Sequence, residues 1–219
     1  DEFSAIKHDK FYSPVTHYVA YLEKIKAQQF SDRVLQQAQR VIEQWDLGTN
    51  VDNTGAALGT CVLLAAERDD QRESHDAAAV AALLGDCAQG LLDAKGQLDP
   101  PWGKVNRHVR GDVNVPVGGG PDILRAIYGQ GLQEDGFLTN VAGDGLYYLV
   151  AWDAEGKLTV EGVHQFGSAT LDEASPHYND QALDYASEVL HGPLFDEASL
   201  QQNVLRAYRP GAEIMGSAP

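Results

Sequence analysis

Leu146-Tyr147-Tyr148-Leu149-Val150-Ala151-Trp152, followed by Asp153-Ala154-Glu155-Gly156 and the return segment 157–166, decides the fold class of this chain. The first seven residues are aromatic, branched or otherwise apolar, a strand composition and not that of an amphipathic helix. The Asp-Ala-Glu-Gly stretch supplies a turn. On the way back Leu158 and Val160 alternate with Thr159 and Glu161, so the segment reads as a β-hairpin over about 145–166. One face of the return strand is expected to be buried and the other wetter. The outgoing strand is apolar on both faces, which predicts burial on both sides, deep in a layered sheet.

Upstream of the hairpin the period changes from two to 3.6. Tyr18, Tyr21, Leu22 and Ile25 share one helical face, and Val34, Ala38, Val41, Ile42 and Trp45 repeat the pattern after a break at which Ser31 is the expected N-cap. Residues 50–55 form a polar turn. Residues 56–66 are apolar almost all round and must be covered on most sides. Val80, Leu83, Leu84, Cys87 and Leu91 form a further stripe, and the charged run 67–76 before it reads as a solvated loop and helix start. Asp99-Pro100-Pro101 ends helical character, and 129–136 is expected to be a flexible connection. A last helix over about 197–208 carries Leu200, Val204, Leu205 and Tyr208, capped by Asp196 or Ser199, with a loosely held tail after Pro210. The order is therefore α+β, with a mainly helical region over 1–95 and a strand-rich region over 96–219.

The net charge of −16 repels phosphate backbones and anionic lipid, so neither nucleic acid nor membrane is an expected partner. No apolar run is expected to cross a bilayer, and Asp1-Glu2-Phe3-Ser4 opens no signal peptide. Cys61 and Cys87 lie in helical patterns and are expected to be buried thiols, with a bridge between packed helices as the alternative. No CxxC pair points to zinc or redox chemistry.

Few residues suggest chemistry. Gly118-Gly119-Gly120-Pro121 matches neither phosphate-binding glycine pattern and reads as a turn needing positive φ and close backbone approach. No H-E-x-x-H is present; His177 with Asp180 is the nearest approach to a ligand pair, and its ordinary role is to hydrogen-bond backbone in a loop. Ser168, His164 and Asp172 list as a triad, but no G-x-S-x-G elbow surrounds any serine. Arg107, His108 and Arg110 form a basic spot suited to a carboxylate ligand or to the chain's surplus acids. Tyr147, Tyr148 and Trp152 suit an acyl-chain pocket or a core. No catalytic residue, metal ligand or cofactor follows from these residues, and the substrate-binding residues stay unassigned.

Three stretches carry a resemblance: Pro101-Trp102-Gly103-Lys104-Val105-Asn106-Arg107; Val115-Pro116-Val117-Gly118-Gly119-Gly120-Pro121; and Gly167-Ser168-Ala169-Thr170-Leu171-Asp172 with Ser175-Pro176-His177-Tyr178-Asn179-Asp180-Gln181. Residues 6–13, Trp45-Asp46 and Gly55-Ala56-Ala57 add to it more weakly. Together they resemble the carboxyl-terminal part of the β subunit of the penicillin amidase family, N-terminal-nucleophile hydrolases that include acyl-homoserine-lactone and aculeacin-type acylases. The resemblance implies part of an αββα sandwich with a helical region first. It implies hydrolysis of N-acyl amides such as acyl-homoserine lactones, penicillin-like compounds or acylated peptides, hence quorum quenching or antibiotic metabolism. An N-terminal serine attacks the carbonyl in such enzymes, and its own α-amino group acts as base. The nucleophile, the histidine after it, the oxyanion asparagine, the nearby arginine and the calcium ligands all belong upstream of the matched stretches, so none maps onto this sequence. The partners implied are the remaining α and β subunit polypeptide, and the compartment is the bacterial periplasm or exterior. The chain alone is then expected to be inactive. The competing expectation is a freestanding acidic α+β binding or scaffolding domain without catalysis.

Overall fold

The computed structural model describes residues 2–68, 76–130, 136–169, 171–192 and 197–203. Five helices come first: α1 (Glu2–Lys7), α2 (His17–Lys26), α3 (Arg33–Gln44), α4 (Ala56–Arg68) and α5 (Ala77–Lys95). On α2 the residues Tyr21, Leu22 and Ile25 are buried; the side chain of Tyr18 lies outside the described residues. The α3 cap is Asp32 and not Ser31. Its carboxylate accepts from the backbone N–H groups of Val34 and Leu35 at 2.8 and 3.0 Å, and an anion at a helix N-terminus also meets the dipole.

Helix α4 is buried almost all round, as an apolar helix must be. Its glycines make room for one large neighbour: the Trp45 ring lies against Gly55 and Gly59, and a Cβ at Gly59 would fall inside it. The indole nitrogen donates to the Gly48 carbonyl at 2.8 Å. Helix α5 buries the Val80, Leu83, Leu84, Cys87 and Leu91 stripe, is capped by Asp76 and ends at Gly96 with φ of 70°. At 19 residues and a mean hydropathy of 1.3, α5 does reach the length and composition of a membrane span. Its buried stripe and its bond to α4 make it a core helix. That bond corrects the expectation of free thiols: Cys61 and Cys87 form a disulfide, Cα to Cα 5.9 Å. Their separation in space depends on how α4 and α5 pack, which the two local patterns do not encode.

From residue 106 the chain forms strands β1 (Asn106–Arg110), β2 (Val113–Pro116), β3 (Ile127–Gln130) and β4 (Leu138–Gly143) in the order β2-β1-β4-β3, with β1 and β4 parallel and the other pairs antiparallel. Gly129 is therefore part of a strand, at a register shift, and not of a flexible connection; residues 131–135 lie outside the described residues. The hairpin is β5 (Leu146–Trp152) with β6 (Leu158–His164), registered from Leu146↔His164 to Trp152↔Leu158. Double burial of its outgoing strand does not occur. Tyr147 and Val163 face inward, whereas Leu146, Tyr148, Val150 and Trp152 stand 46–67% exposed on the other face, with Leu158 beside them. An apolar residue on each face records what a strand tolerates, and here the outer face of β5 has no covering layer among the described residues, although Val160, paired with Val150 on that same face, is buried. On β6 the alternation holds at Val160, which is buried, and fails at Leu158.

Two short helices follow, α6 (Ala182–Ala186) and α7 (Glu197–Asn203). Ser199 sits inside α7, so it is not the cap, and Leu200 is exposed; Asp196, Val204, Leu205 and Tyr208 lie outside the described residues. The architecture is α+β. One core gathers α2–α5 with Trp102 and Val105, and a second joins Val117 and Ile127 to Val163 and Tyr185.

Candidate functional site

The segment from Gly167 to Gln181 is a wired loop. Ala169 N–H donates to the His177 carbonyl at 3.0 Å, and a Cβ at Gly167 would clash with that same carbonyl. Asn179 Nδ2 donates to Asp112 at 2.5 Å and to the Arg110 carbonyl at 3.2 Å. The Gln181 side chain accepts from the His164 N–H at 2.8 Å. The loop's polar side chains thus clamp the β1–β2 turn and the end of β6. His177 Nδ1 and Asp180 Oδ2 meet at 2.7 Å on the exposed surface, and no cluster of three metal-binding side chains occurs among the described residues.

Ser168, His164 and Asp172 do not assemble. Ser168 is exposed, Asp172 accepts from the Ala174 N–H in a local turn, and no hydrogen bond joins the three. The basic spot also separates. Arg107 turns to Asn114 and the Gly103 carbonyl, while Arg110 stacks over Tyr178 at 3.9 Å and Phe166 at 4.8 Å. Tyr147 lies on the opposite hairpin face from Tyr148 and Trp152, so strand alternation prevents one pocket lined by all three.

His108 goes inward and is fully buried. Its ring stacks on Phe166 at 4.9 Å. Nε2 donates to the Gln165 carbonyl at 2.8 Å and Nδ1 accepts from Asn140 Nδ2 at 3.1 Å. Burial pushes its pKa down to about 4; the Gln165 carbonyl pulls it up and the charge of Arg125 adds to the fall. It is a neutral imidazole with both nitrogens engaged, a fixed structural group and not a proton shuttle.

The densest polar arrangement was not visible in the sequence. Arg125, fully buried, places Nη1 3.3 Å from Asp144 and Nε 3.7 Å from Glu188. Lys7 reaches Asp144 at 2.6 Å and Lys10 reaches Glu188 at 2.6 Å. Arg125 Nη2 donates to the Tyr185 carbonyl at 2.7 Å, at the carboxyl end of α6 where a cation is favoured, and the Tyr185 hydroxyl donates to the Asp144 carbonyl at 2.5 Å. Burial pushes the Tyr185 phenol up to about 12. His8 shares a 2.6 Å hydrogen bond with the Tyr147 hydroxyl, and burial lowers the His8 pKa. Three cations and two carboxylates lock the amino-terminal segment, the glycine turn, the β4–β5 corner and α6 together. The triple glycine serves this lock: Gly119 adopts φ of 101°, and a Cβ there would stand 2.5 Å from the Arg125 carbonyl. A lone arginine in Ile-Leu-Arg-Ala-Ile was the available signal, since an apolar frame around one charge marks burial.

The arrangement holds and orients, and at its edge Ser4 Oγ lies 3.4 Å from His8 Nδ1, whose Nε2 is engaged by the Tyr147 hydroxyl. The family model described as Penicillin amidase matches residues 1–202. No curated protein matches the chain.

Proposed function

This chain belongs to the penicillin amidase family, and we propose that it is the carboxyl-terminal part of an acylase that hydrolyses N-acyl amides, supporting a nucleophile carried upstream. The match over residues 1–202 carries the reading. Two features support it further. The nominated serine, histidine and aspartate do not meet, and the outer face of β5 stays apolar and open, as expected where the rest of an αββα sandwich packs. A freestanding scaffolding domain would cover such a face or make it polar.

The role of this chain is then positional. Its Arg125-centred lock keeps the sheet corner and α6 in fixed register, so upstream strands that dock on it inherit a fixed geometry. Acyl transfer by an N-terminal nucleophile needs that precision, because a displacement of about 1 Å costs on the order of a hundredfold in rate. The remaining α and β polypeptide is the proposed partner, and acyl-homoserine lactones and acylated peptides are the proposed substrates. A periplasmic or secreted location is supported by the Cys61–Cys87 disulfide, which persists in oxidising compartments; trapping these thiols in intact cells tests it.

Release of homoserine lactone from short- and long-chain acyl substrates decides the function. The full-length acylase should turn over and the 219 residues alone should not. Turnover by the isolated chain, abolished by changing His177 or Ser168, would overturn the reading. So would a full-length protein that hydrolyses no acyl amide.

A further inference from the structure

Strand β5 pairs with β6 along one edge, and its other edge has no partner strand among the described residues. The hydrogen bonds at the two ends of the hairpin fix which groups face outward. Gln165 N–H donates to the Gly145 carbonyl at 2.6 Å and Asp153 N–H to the Lys157 carbonyl at 3.1 Å, so bonded pairs bracket the hairpin. Bonded and non-bonded pairs alternate between them, which makes Tyr147, Leu149 and Ala151 the residues that bond to β6. Leu146, Tyr148, Val150 and Trp152 therefore turn their N–H and carbonyl groups away from β6, and these groups meet no partner among the described residues.

The far edge of β6 is capped instead. By the same alternation Gly162 and His164 point outward there. Gly162 exchanges two hydrogen bonds with His191, at 2.8 and 2.9 Å, and the His164 N–H donates to Gln181 Oε1 at 2.8 Å. Soluble proteins blunt a bare edge with charge, proline or a bulge. Over Leu146–Trp152 no residue is charged or proline, and the register runs unbroken. The residues with unpaired backbone also carry the exposed apolar side chains of the outer face: Leu146, Tyr148, Val150 and Trp152. Open main-chain groups beside open apolar side chains are what an added strand pairs with and packs on.

We propose that β5 accepts along its bare edge an extended strand from the upstream part of the same polypeptide, with apolar side chains at alternate positions beside Tyr148, Val150 and Trp152. This rests on the reading of the chain as the later part of an acylase. It adds that the upstream segment joins by backbone pairing and not only by packing on the outer face. A second copy of the chain is a poor occupant. Two chains of net charge −16 repel, and antiparallel pairing of two β5 strands sets the Asp144 end of one against the exposed Asp153 and Glu155 of the other. A seven-residue edge is also small beside the roughly 1,200–2,000 Å² that stable association of separate chains buries. A tethered strand escapes that demand, because its effective concentration is on the order of millimolar.

Hydrogen–deuterium exchange resolved to single residues in the full-length acylase reads the pairing directly. The amides of Tyr148, Val150 and Trp152 should exchange about 100-fold or more slowly than in unstructured chain, as those of Tyr147, Leu149 and Ala151 do. Alternating fast and slow amides along β5 would overturn the proposal, since that is the signature of a bare edge. Val150→Pro deletes one outward N–H and leaves every bond to β6, a place where an edge strand tolerates proline. It should return Tyr148 and Trp152 to fast exchange while Tyr147 and Ala151 stay slow, the latter showing that the hairpin survives. Unchanged protection of Tyr148 and Trp152 in that variant would overturn the proposal. So would protection lost on dilution, which assigns the edge to a second copy. Acyl-amide turnover by the same protein separates the two readings. Uniform protection without turnover removes the acylase assignment alone, and turnover with alternating protection removes the added strand alone.

Discussion

The guanidinium of Arg125 lies 4.3 Å from the Tyr185 ring centroid and donates to the carbonyl oxygen of that same residue at 2.7 Å. One side chain thus grips the backbone end of α6 and covers the ring that packs beneath it. Stacking and a planar fork are what arginine supplies and lysine does not.

Arg125→Met should therefore destabilise, by about 1–3 kcal/mol, because it strips the Tyr185 carbonyl of its charged donor and leaves Asp144 and Glu188 with Lys7 and Lys10 alone. Arg125→Lys keeps the charge and loses the fork, and should recover only part of that loss. Urea unfolding of the three proteins measures both. Equal stability of Arg125→Met and the parent would show that the lock contributes nothing.

Two helical glycines give opposite expectations. Gly59→Ala raises helix propensity on α4 but drives a methyl into the Trp45 ring, so it should cost about 1–3 kcal/mol. Gly90→Ala on α5 meets open space and should stabilise by about 0.5–1 kcal/mol. Thermal unfolding of the pair separates packing from propensity. Two stabilised variants would mean that Trp45 yields.

Burial of His108 sets a pH dependence. Its pKa is about 4 in the folded chain against 6.5 when free, so between these values the unfolded state binds more protons and stability rises with pH. The neutral ring carries no penalty above about pH 6.5. Below that the penalty grows as pH falls, reaching about 3 kcal/mol near pH 4 and levelling off below it. Carboxylates add their own dependence, so the informative quantity is the difference between the parent and His108→Gln from pH 4 to 7.5. That difference should shrink steadily as the solution is acidified. A constant difference would place the His108 pKa at its ordinary value.

Legibility in the sequence followed the range of the forces involved. The stripes on α3 and α5 were readable because burial of a helix face repeats every 3.6 residues and Ala38, Ile42, Leu84 and Leu91 obey it. The β5–β6 hairpin was readable from its own turn. The glycine turn was readable as backbone crowding, though not as the seat of Arg125. The disulfide and the Lys7–Asp144 pair, 137 positions apart, depend on packing between elements that no local pattern encodes. The open face of β5 was misread because apolarity states what a surface prefers and not whether another layer meets it. The site expectations on Ser168 and Asp172 were lists of residue types, and geometry dispersed them.

That open face gives the last expectation. Trp152 is 67% exposed whereas Trp45 and Trp102 are buried, so Trp152 reports on the hairpin. In the isolated chain its emission, obtained by subtracting the spectrum of Trp152→Phe, should be red and readily quenched by acrylamide. In the proposed full-length acylase the same difference spectrum should shift to the blue and resist quenching, if the proposed upstream polypeptide covers Tyr148, Val150 and Trp152. Charges on that face then test whether the cover matters. Tyr148→Glu with Trp152→Glu should leave the isolated chain folded, since both side chains already meet water there. In the full enzyme the same pair should lower kcat by about 10- to 100-fold through misplacement of the docked strands. Unchanged quenching between isolated chain and full enzyme, with unchanged kcat in the double variant, would show that this face supports nothing.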